Sequence, residues 1–334
     1  MNVVEIMYYL GYRVSRGYRT LKKKTLSHPV ISVGNITLGG TGKTPAVIAL
    51  AEEAVRRGFR PCILTRGYRG RLKKPVFVSR GSGPLYSPFE AGDEAVLMAQ
   101  RLHGVEVIKA ANRHEGALLS RNANLFILDD GYQHWGLHRD KNILLIDAID
   151  PFGNGKLFPL GPLREPLKEI RRADTIVVTR SSGDHGFIER LKPYSRNAAF
   201  YHASIKATWL IKQNGDILPA EHLVGKRIYA FCGIGNPGGF IQTLLKFGIL
   251  LVGFKSFPDH HVYRETEMEA MYQESVRTMA DMIITTEKDF IKLGGMILPD
   301  SVTALRVEFD INKDFYDSIF VFGRKKGIAG GGKG

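Results

Sequence analysis

Apolar positions along the chain fall into two rhythms. Short aliphatic runs with no polar alternation recur at HPVISVG (28–34), PCILTRGYRG (61–70), VEVIKA (105–110), NLFILDDG (124–131), NILLIDA (142–148) and DTIVVTR (174–180). Unbroken runs of that length mark strands covered on both faces. Between them, TPAVIALAEEAVRRGF (44–59) repeats apolar residues at helical spacing through Val47, Ile48, Ala51 and Val55, and GDEAVLMAQRLHG (92–104) reads as a second helix. Pro45 is tolerated at such a helix start, where the amide has no intrahelical partner. Strands alternating with helices predict the α/β class: a mostly parallel sheet with helices on both faces.

The rhythm breaks twice. PFGNGKLFPLGPLREP (151–166) is too rich in glycine and proline for a regular element and reads as a long shaped loop, the kind that is commonly functional. Near residue 200 the texture changes to strand, an Asn-Gly turn at 214–215 and strand, a hairpin signal. From about residue 225, IYAFCGIGNPGGF, GILLVGFKSFPDHHVY and MIITTEKDF repeat the strand–turn–helix pattern. The expected organisation is a helix over 1–24, a first domain over 25–200, a two-stranded linker over 201–224, a second, smaller α/β lobe over 225–325 and a disordered tail over 326–334.

The first 24 residues place Val3, Ile6, Met7, Leu10 and Val14 on one helical face, with Glu5, Arg13, Arg16 and Arg19 opposite and Lys22, Lys23 and Lys24 following. An apolar stripe beside a basic cluster suits a helix lying on an anionic bilayer; an ordinary packed helix is the competing reading. Composition adds a net charge of +14, which favours an anionic partner without choosing among nucleic acid, membrane and phosphorylated substrate. Two distant cysteines, Cys62 and Cys232, make neither a disulfide framework nor a paired metal motif. No apolar run reaches the roughly 18 residues of a membrane span, and no signal peptide is evident.

The chemistry starts at GNITLGGTGKTP (34–45). Phosphate binding needs backbone N–H groups turned inward at a helix start with no Cβ in the way, and Gly39, Gly40 and Gly42 permit that. Lys43 reaches the β- and γ-phosphates and Thr44 can ligate Mg²⁺. Thr37 stands where the common P-loop has its first glycine, and Leu38 where partitioning ATPases carry a signature lysine. The expected ATP contacts are Thr37, Leu38, Gly39, Gly40, Thr41, Gly42, Lys43 and Thr44. NLFILDD delivers Asp129 and Asp130 at a strand end, as metal acids should be. TEKD (286–289) has the residue types of a guanine-reading motif in the wrong order, which argues against a GTPase. A P-loop ATPase switch remains the competing class. A transferase also needs a proton acceptor. Candidates are Asp93 and Glu94 at a helix start, and Asp259 beside His260 and His261; Arg66, Arg69 and Arg164 lie in glycine-rich loops and suit phosphate.

Taken together, VGNITLGGTGKTP, TRGYRG, GDEA, LDDGYQH, IDAIDPFGNGKLFPLGPLREP, GIGNP, FPDHH and TTEKD resemble the tetraacyldisaccharide 4'-kinases, the lipid A 4'-kinases of Gram-negative bacteria, in that family's order from about residue 30 to 290. The resemblance implies transfer of the ATP γ-phosphate to the 4'-hydroxyl of a tetraacylated disaccharide 1-phosphate, giving lipid IVA, with Mg²⁺ required. It implies a peripheral enzyme on the cytoplasmic face of the inner membrane, with two α/β/α lobes joined by a two-stranded linker. It implies Asp93 as catalytic base supported by His260. The expected site adds Lys43, Glu94, Asp130 and Arg164, with Mg²⁺ held by Thr44 and by one or both of Asp129 and Asp130. The expected partners are then an anionic glycolipid and the membrane surface, with neither nucleic acid nor an obligate protein partner.

Overall fold

The computed structural model describes residues 3–180, 185–195 and 197–322. Its centre is one 13-stranded sheet. The strands are β1 (Val30–Gly34), β2 (Pro61–Thr65), β3 (Val76–Ser82), β4 (His103–Lys109), β5 (Leu125–Leu128), β6 (Lys141–Asp147), β7 (Thr175–Thr179), β8 (Ala199–Lys212), β9 (Ile217–Pro219), β10 (Arg227–Cys232), β11 (Leu250–Ser256), β12 (Met282–Thr286) and β13 (Val302–Ile311). They lie in the order β11-β10-β12-β13-β8-β7-β6-β1-β5-β2-β4-β3, with β9 paired to β8. Pairing is parallel within each half, from β11 to β13 and from β8 to β4. It is antiparallel at β13–β8, at the edge pair β3–β4 and in the β8–β9 hairpin.

The unalternating runs behave as expected. In β1, Ile31 and Val33 face one side and Val30 the other; in β5, Ile127 faces the first side and Phe126 and Leu128 the second. The first face is covered by α2 (Lys43–Arg56) and α4 (Asp93–Arg101). The second is covered by α5 (Arg113–Ala117), by the 3₁₀ turn at 167–172 and by α6 (His185–Leu191). A short α3 (Pro88–Ala91) precedes α4. Both faces being sealed is what lets each strand be apolar throughout. Val55, counted on the buried stripe of α2, is instead 42% exposed. The second half is sandwiched by α7 (Pro237–Leu245) on one face and α8 (Glu265–Arg277) on the other, followed by the one-turn α9 (Glu287–Phe290).

The expected division at 201–224 and 225–325 differs from what is seen. The Asn-Gly turn does form a hairpin, but its return arm β9 is three residues long. It ends at Pro219, which has no N–H for a ladder. What joins the halves is the 14-residue β8 paired antiparallel with β13, about ninety residues later, from Ala203↔Ile311 to Lys212↔Thr303. After β13 the chain re-enters the first half: Phe315 and Ile319 of α10 (Lys313–Ile319) are buried in the same core as Ile31 and Ala51. Hence residues to 319 do not all belong to the second lobe. The tail expected to be disordered, 326–334, lies outside the described residues.

The N-terminal α1 (Val3–Leu21) is amphipathic in an inverted sense. Its apolar stripe points away from the protein, with Val3 73%, Met7 69% and Val14 73% exposed. Its polar side docks inward. Glu5 is buried and accepts from the Leu157 amide, Tyr8 donates to the Arg164 carbonyl, Tyr12 to Glu165, and Arg16 reaches Glu169 at 2.5 Å and lies over the Trp135 ring.

Candidate active site

The carboxyl ends of the parallel strands open on a cleft of about 2220 Å³ between the two halves. One wall is the loop from β1 to α2. Gly39 and Gly42 hold φ of 111° and 85°, and a Cβ at Gly39 or Gly40 would meet nothing within 4 Å, so the loop leaves open space where phosphates would lie. Lys43 donates to Asn35 Oδ1 at 3.1 Å and stands 3.7 Å from Asp130. Leu38, Gly39, Gly40, Thr41, Gly42, Lys43 and Thr44 all line the cleft. Thr41 is the most enclosed of them: it is 4% exposed, and its carbonyl accepts from the Thr179 hydroxyl at the end of β7. Thr37 does not line the cleft. It is buried and bridged to Leu163, and the Leu38 amide donates to Pro162. The residue at the missing first glycine therefore sits in extended contact with the long 151–166 loop, where a side chain is accommodated. Arg180, which also lines the cleft, holds the loop by donating to the Gly40 carbonyl while paired with Asp147.

At the end of β5, Asp129 and Asp130 point different ways. Asp129 is buried; Oδ2 accepts from Thr65 at 2.7 Å and Oδ1 has no partner among the described residues. Burial pushes its carboxyl up to about 6, helped by the charges of Glu94 and Asp130. Asp130 takes Arg164 on both oxygens, at 3.0 and 2.9 Å. Burial acts to raise the Asp130 carboxyl, but Lys43 and Arg164 outweigh it and hold it below the usual carboxylate range. Gln133, three residues on in the LDDGYQH run, accepts from Arg164 and donates to the Asn35 carbonyl, tying this strand end to the loop.

The opposite wall is built by α4 and the β11–α8 loop. Gly92, at φ 98°, lets α4 begin hard against the TRGYRG turn; a Cβ there would lie 2.7 Å from the Tyr68 carbonyl. Asp93 is 5% exposed, takes the Glu94 amide on Oδ1 and accepts from His260 Nδ1 on Oδ2 at 2.7 Å. Burial favours its neutral form, yet the hydrogen bond from His260 and the charge of Lys288 outweigh that and hold the carboxyl low. His260 lines the cleft, packs on Tyr68 at 5.3 Å and has φ 63°. Asp130 has φ 47°. Such backbone outliers concentrate at functional sites. His261 is engaged elsewhere, bonded to Glu267 and stacked on Phe257.

The fold thus brings Lys43, Thr44, Glu94, Asp129, Asp130, Arg164 and His260 to one cleft, with Asp93 directly behind His260. Arg66 also lines it, whereas Arg69 bonds to the Asp259 carbonyl. Sequence reasoning missed Asn35, Gln133, Arg113 and Arg180. Asn35 and Gln133 lie inside the quoted runs GNITLGGTGKTP and LDDGYQH and could have been suspected. Arg113, buried beside the Asp129 carbonyl, and Arg180, at a strand end, carried no local signal.

The chain is similar to known proteins over most of its length. The family model described as LpxK, tetraacyldisaccharide-1-P 4'-kinase, matches residues 1–321. The tetraacyldisaccharide 4'-kinase of Syntrophus aciditrophicus is 40% identical over 305 residues, 86% of this chain and 82% of that one. That of Geobacter metallireducens is 39% identical over 307 residues, 88% of each chain. The crystal structure of an "apo" form LpxK from Aquifex aeolicus in complex with ATP superposes with a TM-score of 0.75 at 34% identity, covering 95% of this chain and 96% of that one. The chain belongs to the LpxK family and is a tetraacyldisaccharide 4'-kinase of lipid A biosynthesis.

Proposed function

We propose that this kinase transfers the γ-phosphate of ATP to the sugar 4'-hydroxyl of its acceptor through a phosphate loop on one wall of the cleft and an acid–histidine pair on the other. The observation that carries the reading is that the Gly39–Thr44 loop and His260, backed by Asp93, face one cavity. Lys43 offsets charge on the transferring phosphoryl group, and Arg164 anchors the acidic strand end beside it. The hydroxyl oxygen bonds to phosphorus as its proton passes to the Asp93–His260 pair and the bond to the ADP oxygen breaks. Because Asp93 has both oxygens engaged and His260 faces the cleft, a second reading makes His260 Nε2 the receiving atom and Asp93 its orienter. Under that reading His260→Ala costs at least as much kcat as Asp93→Asn.

Mg²⁺ fits the donors present. Asp129 offers a buried, unpartnered oxygen, whereas both oxygens of Asp130 are taken by Arg164. Asp129 and Thr44 are the ligands this arrangement favours, and the ion when bound would neutralise phosphate charge, completed by phosphate oxygens and water. The outward apolar stripe of α1, with its basic end, supports docking on an anionic membrane surface at the cytoplasmic face of the inner membrane. Among the described residues no helix is long and apolar enough to cross a membrane.

The test is direct: labelled ATP and a tetraacyldisaccharide 1-phosphate should give a lipid carrying one more phosphate. ATP hydrolysis stimulated by DNA or protein, with no lipid product, would overturn the reading. Asp129→Asn should raise the Mg²⁺ concentration needed for half-maximal rate; an unchanged metal titration removes Asp129 from the metal.

A further inference from the structure

TTEKD is a motif whose residues the mechanism above does not use, and its last four side chains, Thr286 to Asp289, make contacts around the site. Thr286 caps α9, its hydroxyl accepting from the Asp289 amide. Asp289 accepts from the Gly233 amide at 2.9 Å, and the Gly233 carbonyl in turn accepts from the His260 amide. Glu287 pairs with Arg306 at 2.7 Å and with Arg101 at 3.4 Å. Arg101 is the last residue of α4 and Asp93 the first, about 12 Å apart at helical rise. Lys288 reaches that other end. Its ammonium lies 3.8 Å from Asp93, 3.5 Å from Glu94 and 3.4 Å from Asp259. One turn of the second lobe thus grips both ends of the helix that carries Asp93.

We infer that Lys288 is a positioning residue for phosphoryl transfer: it neutralises the acidic cluster around Asp93 and thereby keeps that carboxylate ionised and turned to His260. Three carboxylates with no cation among them would repel one another, and one would take up a proton. The charged groups facing Asp93 are His260 and Asp259 from the β11–α8 loop, Lys288 on α9, Lys292 just beyond it and Glu94 on its own helix. Of the two lysines, Lys292 is committed to Asp289 at 2.6 Å, which leaves Lys288 as the cation within 4 Å of all three acids. Burial works against the Lys288 charge, but Glu94, Asp93 and Asp259 outweigh it and raise its pKa, so it is a standing cation at neutral pH. The guanidinium of Lys288→Arg can supply the same charge, whereas the isosteric thioether of Lys288→Met cannot.

This inference rests on the Asp93–His260 pair being the proton acceptor, and the experiment separates the two. Steady-state kinetics of Asp93→Asn, Lys288→Met, Lys288→Arg and Glu287→Gln are measured across pH, with thermal unfolding of each. Lys288→Met should lower kcat by about tenfold or more and leave KM for ATP within about threefold, with the acidic limb of the kcat profile displaced upward by about one pH unit. Lys288→Arg should return the limb towards wild type. Glu287→Gln loses the other grip and should lower the melting temperature with the limb in place. An unmoved limb in Lys288→Met, or an equal displacement in Glu287→Gln, overturns the role of Lys288. Unimpaired Asp93→Asn overturns the pair itself. Should Lys288→Met not fold, Lys288→Gln carries the same comparison.

Discussion

At the scale of single residues, the site is a set of opposed charges in which geometry decides each role. Asp129 and Asp130 are adjacent, yet one is buried with a free oxygen and the other is clamped by Arg164. Arg164→Ala should lower kcat/KM by about tenfold or more, because it removes the Nη1 donor shared by both Asp130 oxygens and Gln133; steady-state kinetics check this. Asp93→Asn keeps the shape but loses the charge, and should cost about 10²–10⁴ in kcat while ATP affinity holds. The folded state depresses the Asp93 pKa, so Asp93 adds stability above the ordinary carboxylate range, and that share is lost as pH falls through the folded value. The melting-temperature gap between wild type and Asp93→Asn should therefore hold from pH 7 to about 4 and narrow as pH is lowered further. A gap constant with pH would remove the ion pair as its cause.

At the scale of elements, α1 shows why an amphipathic pattern does not say which side faces the protein. The periodicity of Val3, Ile6, Met7, Leu10 and Val14 was legible, and it left two readings open, a stripe turned to a membrane or one packed on the protein. The stripe is not what docks. Instead Glu5, Tyr8, Tyr12 and Arg16 supply the inward contacts, through partners more than 150 residues away in the chain. Arg16 and Arg172 satisfy Glu169, and Arg172 also reaches Glu165; both carboxylates are fully buried, so the inward face is a polar network rather than an apolar seam. The two faces should separate in experiment. Met7→Ser with Leu10→Ser should weaken flotation with anionic vesicles and leave the melting temperature unchanged. Glu169→Gln should lower the melting temperature, since it leaves two arginines short of their partner. If the serine pair floats like wild type, the outward stripe is not the docking face.

At the scale of the whole molecule, the two lobes are one sheet. The antiparallel pair β8–β13 runs through the seam, and α10 then returns to the first core. Phe315 is 1% exposed and packs edge-on to Tyr201 of β8. Phe315→Ala should cost about 3–5 kcal/mol of stability, read from denaturant unfolding, although it lies far along the chain from the core it fills. A loss under about 1 kcal/mol would mean that α10 is not part of that core.

Local patterns in the sequence were enough for the class of fold, the phosphate loop and the inventory of acids and histidines. These depend on periodicity, on glycine at positions that need positive φ and on acids at strand ends, all written within a few residues. The sequence by itself could not say which neighbour acts. Only the tertiary structure turned His260 towards Asp93 and His261 towards Glu267, buried Thr37 behind the loop and joined the halves by β13 instead of the local hairpin. Lys288 belongs with these: in the chain it is one lysine of a TTEKD run, and only the packing of α9 against α4 gives it three carboxylates. The physical reason is common to all of them. Charge pairing and β-pairing act through space over a few ångströms, and the partners here are separated by tens to hundreds of residues of chain.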